Sequence, residues 1–152
     1  MAKIIISDTS CLIALQNIEL LYLLKDLYHE ILITKEVKNE FGLDLPDWVI
    51  VLEVKDINKQ AEIEKKLDKG EASSIALALE INNSMLIIDE IKGRKIAESL
   101  NIEIIGTIGI LVLADKRGLI KDILSIFLKL VNKGFRLSDK IIDKLIEKYG
   151  IK

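Results

Sequence analysis

Residues 3–15 read KIIISDTSCLIAL. The run Lys3 to Ser7 is short, apolar and rich in β-branched Ile, the pattern of a strand buried on both faces. Thr9 and Ser10 then offer N-cap side chains for a helix through Leu15. A buried strand passing straight into a helix opens an α/β unit. Asp8 stands at the junction. A bare carboxylate at a buried strand end is costly, so the position calls for a reason.

Outward from that stretch the chain alternates. Glu19 to Tyr28 reads as a helix with Leu20, Leu23, Leu24 and Leu27 on one face. Ile31 to Ile33 is a second strand. Thr34 caps a helix over Lys35 to Phe41, and Gly42 stops it. After a break at Pro46, Val49 to Val54 alternates like a strand. Asp56 caps a charged helix through Leu67. Gly70 punctuates, and Glu71 opens a helix with Ile75, Ala78 and Leu79 on one face. Met85 to Ile88 is a strand, Ile91 to Leu100 a helix, Glu103 to Ile105 a last strand, and Thr107 to Arg117 a helix. Two more helices follow near Ile120 to Val131 and Asp139 to Tyr149, with Ser138 as cap and Gly150 as stop. This order predicts a three-layer α/β/α fold with a mainly parallel sheet and extra C-terminal helices. With no repeat or linker, it is one domain over 1–152, with a core over 1–118 and a helical extension over 119–152.

At 152 residues the chain can bury a full core without a disulfide or metal staple. Lys and Arg number 22 against 24 Asp and Glu, which excludes an overtly basic nucleic-acid coat but not a local basic rim. Cys11 and His29 are each alone. That excludes an intrachain disulfide, a cysteine zinc cage, a histidine metal site and a Ser-His-Asp triad. Cys11 reads as core, His29 as structural, and Trp48 as a packed anchor. The longest apolar stretch, Ile104 to Ala114, falls short of the ~20 residues a bilayer helix needs. The expectation is a cytoplasmic protein with no membrane partner.

In parallel sheets the ligand lies beyond the carboxyl ends of the strands. Asp8 ends the first strand and Asp89 follows the fourth. Glu71 lies in the first turn after Gly70, and Glu40 near the end of the third helix. Each has an ordinary reading: Asp8 and Asp89 as helix caps, Glu71 as a first-turn charge, Glu40 as a solvated residue. Together they suit magnesium or manganese, which take oxygen ligands. Two carboxylates about 5 Å apart repel by about 3 kcal/mol at an effective dielectric near 20. A metal-free cluster should therefore hold at least one raised carboxyl pKa.

Four motifs in this order carry a resemblance: Ser7-Asp8-Thr9-Ser10 after the first strand, Val37-x-x-Glu40, Gly70-Glu71-Ala72 and Leu86-Ile87-Ile88-Asp89. They resemble the PIN-domain family over roughly Met1 to Leu119. Gly93-Arg94-x-x-Ala97 and Gly106-Thr107-Ile108-Gly109 add a likeness to a little-characterised prokaryotic branch of that family. The resemblance implies a metal-dependent nuclease, many of whose relatives are toxins of toxin–antitoxin pairs. It implies Asp8, Glu40, Glu71 and Asp89 as ligands of Mg2+ or Mn2+, with RNA, or DNA, as substrate. It also implies a small antitoxin as partner and a possible homodimer. Ser10 and Thr9 would support Asp8. Read from the residues alone, Lys92, Arg94 and Lys95 form either a solvated helix face or a phosphate-contacting rim, in which the Arg94 fork is best suited to phosphate. The family often has Thr two residues before the last acid, where this chain has Ile87, and more often Asp where it has Glu71.

Other α/β enzymes fit less well. A haloacid-dehalogenase-like phosphatase needs Asp where Ser10 stands, and no phosphate-binding Gly-rich loop occurs. The alternative from another class is a PIN fold that binds nucleic acid or protein with weak or no hydrolysis.

Overall fold

The computed structural model describes residues 2–149. Five strands form one parallel sheet in the order β3-β2-β1-β4-β5. They are β1 (Ile4–Ser7), β2 (Ile31–Thr34), β3 (Val49–Leu52), β4 (Ser84–Ile87) and β5 (Glu103–Ile105). Between and after them lie α1 (Thr9–Asn17), α2 (Leu23–Tyr28), α3 (Lys35–Phe41), α4 (Ile57–Glu64), α5 (Lys69–Glu80), α6 (Ile91–Ser99), α7 (Thr107–Lys116), α8 (Ile123–Asn132) and α9 (Asp139–Tyr149).

Strand alternation divides the core into two layers. Ile5, Ile31, Ile33 and Ile87 face α1, α2, α7 and the C-terminal helices. Ile6, Leu86 and Ile88 face α4, α5 and α6. Both faces being covered is why the strands carry apolar runs rather than polar alternation. The central pair β1 and β4 is in register, with Ser7 opposite Ile87. The chain winds to β2 on one side of β1 and to β4 on the other. The crevice where direction reverses therefore opens between the ends of β1 and β4, directly at Asp8 and Asp89.

Several boundaries differ from the sequence reading, each for a local reason. The helix expected from Glu19 starts only at Leu23. Glu19 adopts φ +60°, while Leu20 N–H donates to the Leu15 carbonyl and Glu19 N–H to that of Gln16. That is a Schellman stop with Glu where Gly is usual, so no glycine announced it. Asp8, not Thr9 or Ser10, is the N-cap of α1, and its side chain accepts the Cys11 N–H. Helix α5 begins at Lys69 with Asp68 as cap, so Gly70 lies inside it rather than before it. The charged helix α4 ends at Glu64, three residues short, and β3 ends at Leu52 rather than Val54. Ile75 and Ala78 are buried, but Leu79 is 39% exposed, near the far end of α5. Asp56, Thr34 and Ser138 cap as expected. The stop expected at Gly150 lies outside the described residues. Among the described residues no helix is long and apolar enough to cross a membrane.

The turn after α1 supplies a stability test. A left-handed conformation costs a non-glycine residue on the order of 1 kcal/mol, so Glu19→Gly should raise stability by about that amount in urea unfolding. A loss of stability would contradict this account of the turn.

Candidate active site

The end of β1 holds a carboxylate almost out of water. Asp8 is 1% exposed, because the β1–β4 ladder continues through its N–H to the Ile87 carbonyl at 3.0 Å. Its Oδ1 accepts the Cys11 N–H at 3.4 Å, a long bond. Its Oδ2 is buried with no hydrogen-bond partner. Burial pushes this carboxyl well above the usual range, and the neighbouring Asp89, Glu71 and Asp68 charges push the same way against the Cys11 bond.

Glu40 reaches the site from α3. Its Oε1 accepts the Thr9 hydroxyl at 2.5 Å and its Oε2 the Gly70 N–H at 3.0 Å. It thereby ties α3 to α1 and to the first turn of α5. Gly70 is glycine for a steric reason, since a Cβ there would fall inside the Glu40 carboxylate.

Glu71, next in α5, turns the other way. Its Oε2 is buried and unpartnered. A Cβ on Gly93 of α6 would stand 2.7 Å from it. Burial first, then the adjacent Asp68 carboxylate, raises the Glu71 pKa from 4.5 to about 7. Asp68 caps α5 through its Oδ1, which accepts the Glu71 N–H at 2.9 Å.

Asp89 is held from a distance. Its Oδ1 accepts the Thr107 N–H at 2.7 Å and its Oδ2 the Thr107 hydroxyl at 2.6 Å. The hydrogen-bonding partner that Ile87 cannot supply therefore comes from the start of α7. Gly106 lets the groups close up: a Cβ there would lie 2.8 Å from Arg94 Nη1 and 3.0 Å from Asp89 Oδ1.

The four acids expected from the sequence thus gather at one edge of the sheet, but in two conditions. Glu40 and Asp89 have both oxygens satisfied by the chain, whereas Asp8 and Glu71 each keep a buried oxygen free. Among the described residues no three His, Cys, Asp or Glu side chains form a complete ligand set. The free pair still fits a small hard cation. Magnesium is commonly held by one or two carboxylates and keeps several of its waters.

The remaining expected residues separate. Thr9 bonds Glu40, while Ser10 is exposed and bonds none of the acids. Lys92 and Lys95 are exposed on α6. Arg94 turns inward, and its Nη1 donates to the Ile88 carbonyl at 2.7 Å. Two contributors escaped the sequence reading. Thr107 stood in a quoted motif without a role. Asp68 had a visible signal, an acid three residues before Glu71, the spacing of a helix cap.

The raised carboxyls make stability depend on pH. A folded chain that keeps a proton on Glu71 binds one that the unfolded chain releases above about 4.5. That contribution is intact below 4.5 and is lost as pH rises through about 7. Urea midpoints in EDTA should therefore fall from pH 5 to pH 8, and Glu71→Gln should flatten the slope. A parent slope that Glu71→Gln leaves unchanged would contradict the assignment.

Comparison with known proteins accords with this geometry. No curated protein and no solved structure matched the chain. A family model described as a PIN domain matches residues 4–150. PIN domains are generally nucleases and typically use divalent metal ions. A five-stranded parallel sheet flanked by helices, with acids at its carboxyl edge, is consistent with that fold. The chain belongs to the PIN-domain family.

Proposed function

We propose that this protein is a divalent-metal-dependent ribonuclease, the toxin of a toxin–antitoxin pair. One observation carries the reading: Asp8 Oδ2 and Glu71 Oε2 are buried, unpartnered and raised in pKa at the mouth of the β1–β4 crevice. Buried polar atoms without partners are rare, and two carboxylate oxygens of this kind near one strand edge suit a bound cation.

Mg2+ or Mn2+ at such a site supplies activated water and stabilises charge on the attacking and leaving oxygens of a phosphodiester. The chain's own part is positioning. Asp8 and Glu71 would hold the ion. Thr9 and Gly70 fix Glu40 at the boundary of the site, and Thr107 fixes Asp89. These bonds hold both carboxylates in place beside Asp8 and Glu71. Arg94 is anchored by one nitrogen to the Ile88 carbonyl, which leaves the rest of its fork for a phosphate oxygen. Lys92 and Lys95, exposed on the same helix, would add to the basic rim.

The toxin role needs a partner protein. Leu128 and Ile146 are 65% and 58% exposed on α8 and α9, apolar area that an antitoxin segment or a second copy of the chain could cover. A second reading, a PIN fold that binds without cutting, draws on the complete hydrogen bonding of Glu40 and Asp89.

Incubation of a mixed RNA pool with manganese, magnesium or EDTA separates the two. The proposal expects cleavage in both metals and none in EDTA. It also expects Asp8→Asn to lower the rate by about 100-fold or more. RNA binding by the parent without cleavage in any metal would favour the binding module.

A further inference from the structure

One edge of the sheet is open. The strand order leaves β3 and β5 with a single neighbour each. The Trp48 carbonyl accepts the Ile31 N–H, so the Trp48 backbone faces β2. Backbone direction alternates along a strand. Ile50 and Leu52 therefore face β2 as well, and Val49, Val51 and Glu53 point their N–H and C=O groups outward. Val49 N–H closes a turn onto the Pro46 carbonyl. Among the described residues no loop backbone bonds Val51 or Glu53.

Proteins blunt such edges with short strands or with charge. The β5 edge is blunted in both ways: it has three residues, and its Glu103 is tied to Lys3 at 2.7 Å. Strand β3 reads VIVL, with no charge and no proline inside it. Its Ile50 and Leu52 share one face and are 37% and 36% exposed. Apolar side chains beside unpaired backbone mark a strand-pairing surface. The charges around it say what fits. Asp47 precedes the strand and Lys55 follows it, each four residues from Val51. Both are exposed, and among the described residues neither has an ion-pair partner. The intervening Glu53 is already paired with Lys35 at 3.8 Å. A strand that is acidic before its start and basic after its end complements itself when run antiparallel.

We propose that a second copy of this chain docks on β3, antiparallel about a two-fold axis at Val51, joining the two sheets into one of ten strands. Val51 of each copy then exchanges both backbone bonds with its counterpart. Ile50 meets Leu52 of the other copy on the exposed face, at the closer spacing of a non-hydrogen-bonded pair. Asp47 stands level with Lys55 of the other copy at both ends. Symmetry makes each match twice, which an unrelated extended segment would not. The seam needs neither metal nor nuclease activity.

Sedimentation equilibrium of the full chain, over a series from micromolar to submillimolar, tests this seam. The expected result is a reversible dimer. Ile50→Lys should raise its dissociation constant about tenfold or more, because a charge replaces an apolar cross-strand partner on both sides of the axis. Lys55→Glu should weaken the dimer too. Adding Asp47→Lys to Lys55→Glu should restore it, since the swap rebuilds both charge pairs with reversed sign. All three residues are exposed, and thermal melting checks that each variant folds. Leu128→Lys, on the exposed side of α8, should leave the dimer intact. A parent that stays monomeric throughout overturns the proposal. So does a dimer that Leu128→Lys dissolves and Ile50→Lys does not, since its seam then lies on α8. A charge swap that fails to restore the dimer overturns the antiparallel register.

Discussion

The burial of one carboxylate governs this structure. Asp8 sits where β1 stops, bonded through its N–H to the Ile87 carbonyl of β4 and 1% exposed. A charge there loses its water, and the chain returns to it only the long Cys11 bond. Desolvation of this kind either keeps a proton on the group or recruits a cation. The rest of the sheet edge is organised around that alternative.

Three helix starts share the work. Helix α1 is capped by Asp8, α5 receives Asp68 and Glu40, and the first residue of α7 donates twice to Asp89. Each start offers unpaired N–H groups and the positive end of a helix dipole, so negative charge is tolerated there. Three glycines let the layers close: Gly70 against Glu40, Gly93 against Glu71, Gly106 against Asp89 and Arg94. A methyl group at any of them would occupy space that a site side chain now fills. The Gly-Glu-Ala, Gly-Arg and Gly-Thr motifs are therefore steric as much as chemical features.

Much of this was legible in the sequence, because the strands are uninterrupted apolar runs and Asp8 and Asp89 follow two of them directly. Helix starts were legible where a short polar side chain preceded the run, as at Thr34 and Asp56. Glu19 was not, since the turn uses Glu at a position that usually declares itself with Gly. Gly70 misled for the opposite reason: it reads as a break, yet sits inside α5 to make room for Glu40. The bonds from Thr107 to Asp89 span 18 residues, and no local pattern encodes a contact of that kind. The division of the acids into satisfied and unsatisfied pairs depends on such contacts, so it emerged only in three dimensions.

The central claim is that burial raises the Asp8 and Glu71 carboxyls, Glu71 to about 7, so that the proposed ion would displace a proton from Glu71. Ion binding must then release protons, more of them at low pH than at high. Calorimetric titration of Mn2+ at pH 6.5 and 8.5, each in two buffers of different ionisation enthalpy, counts them directly. The account predicts clear proton release at pH 6.5 that diminishes by pH 8.5. Binding with no proton release at pH 6.5 would contradict it.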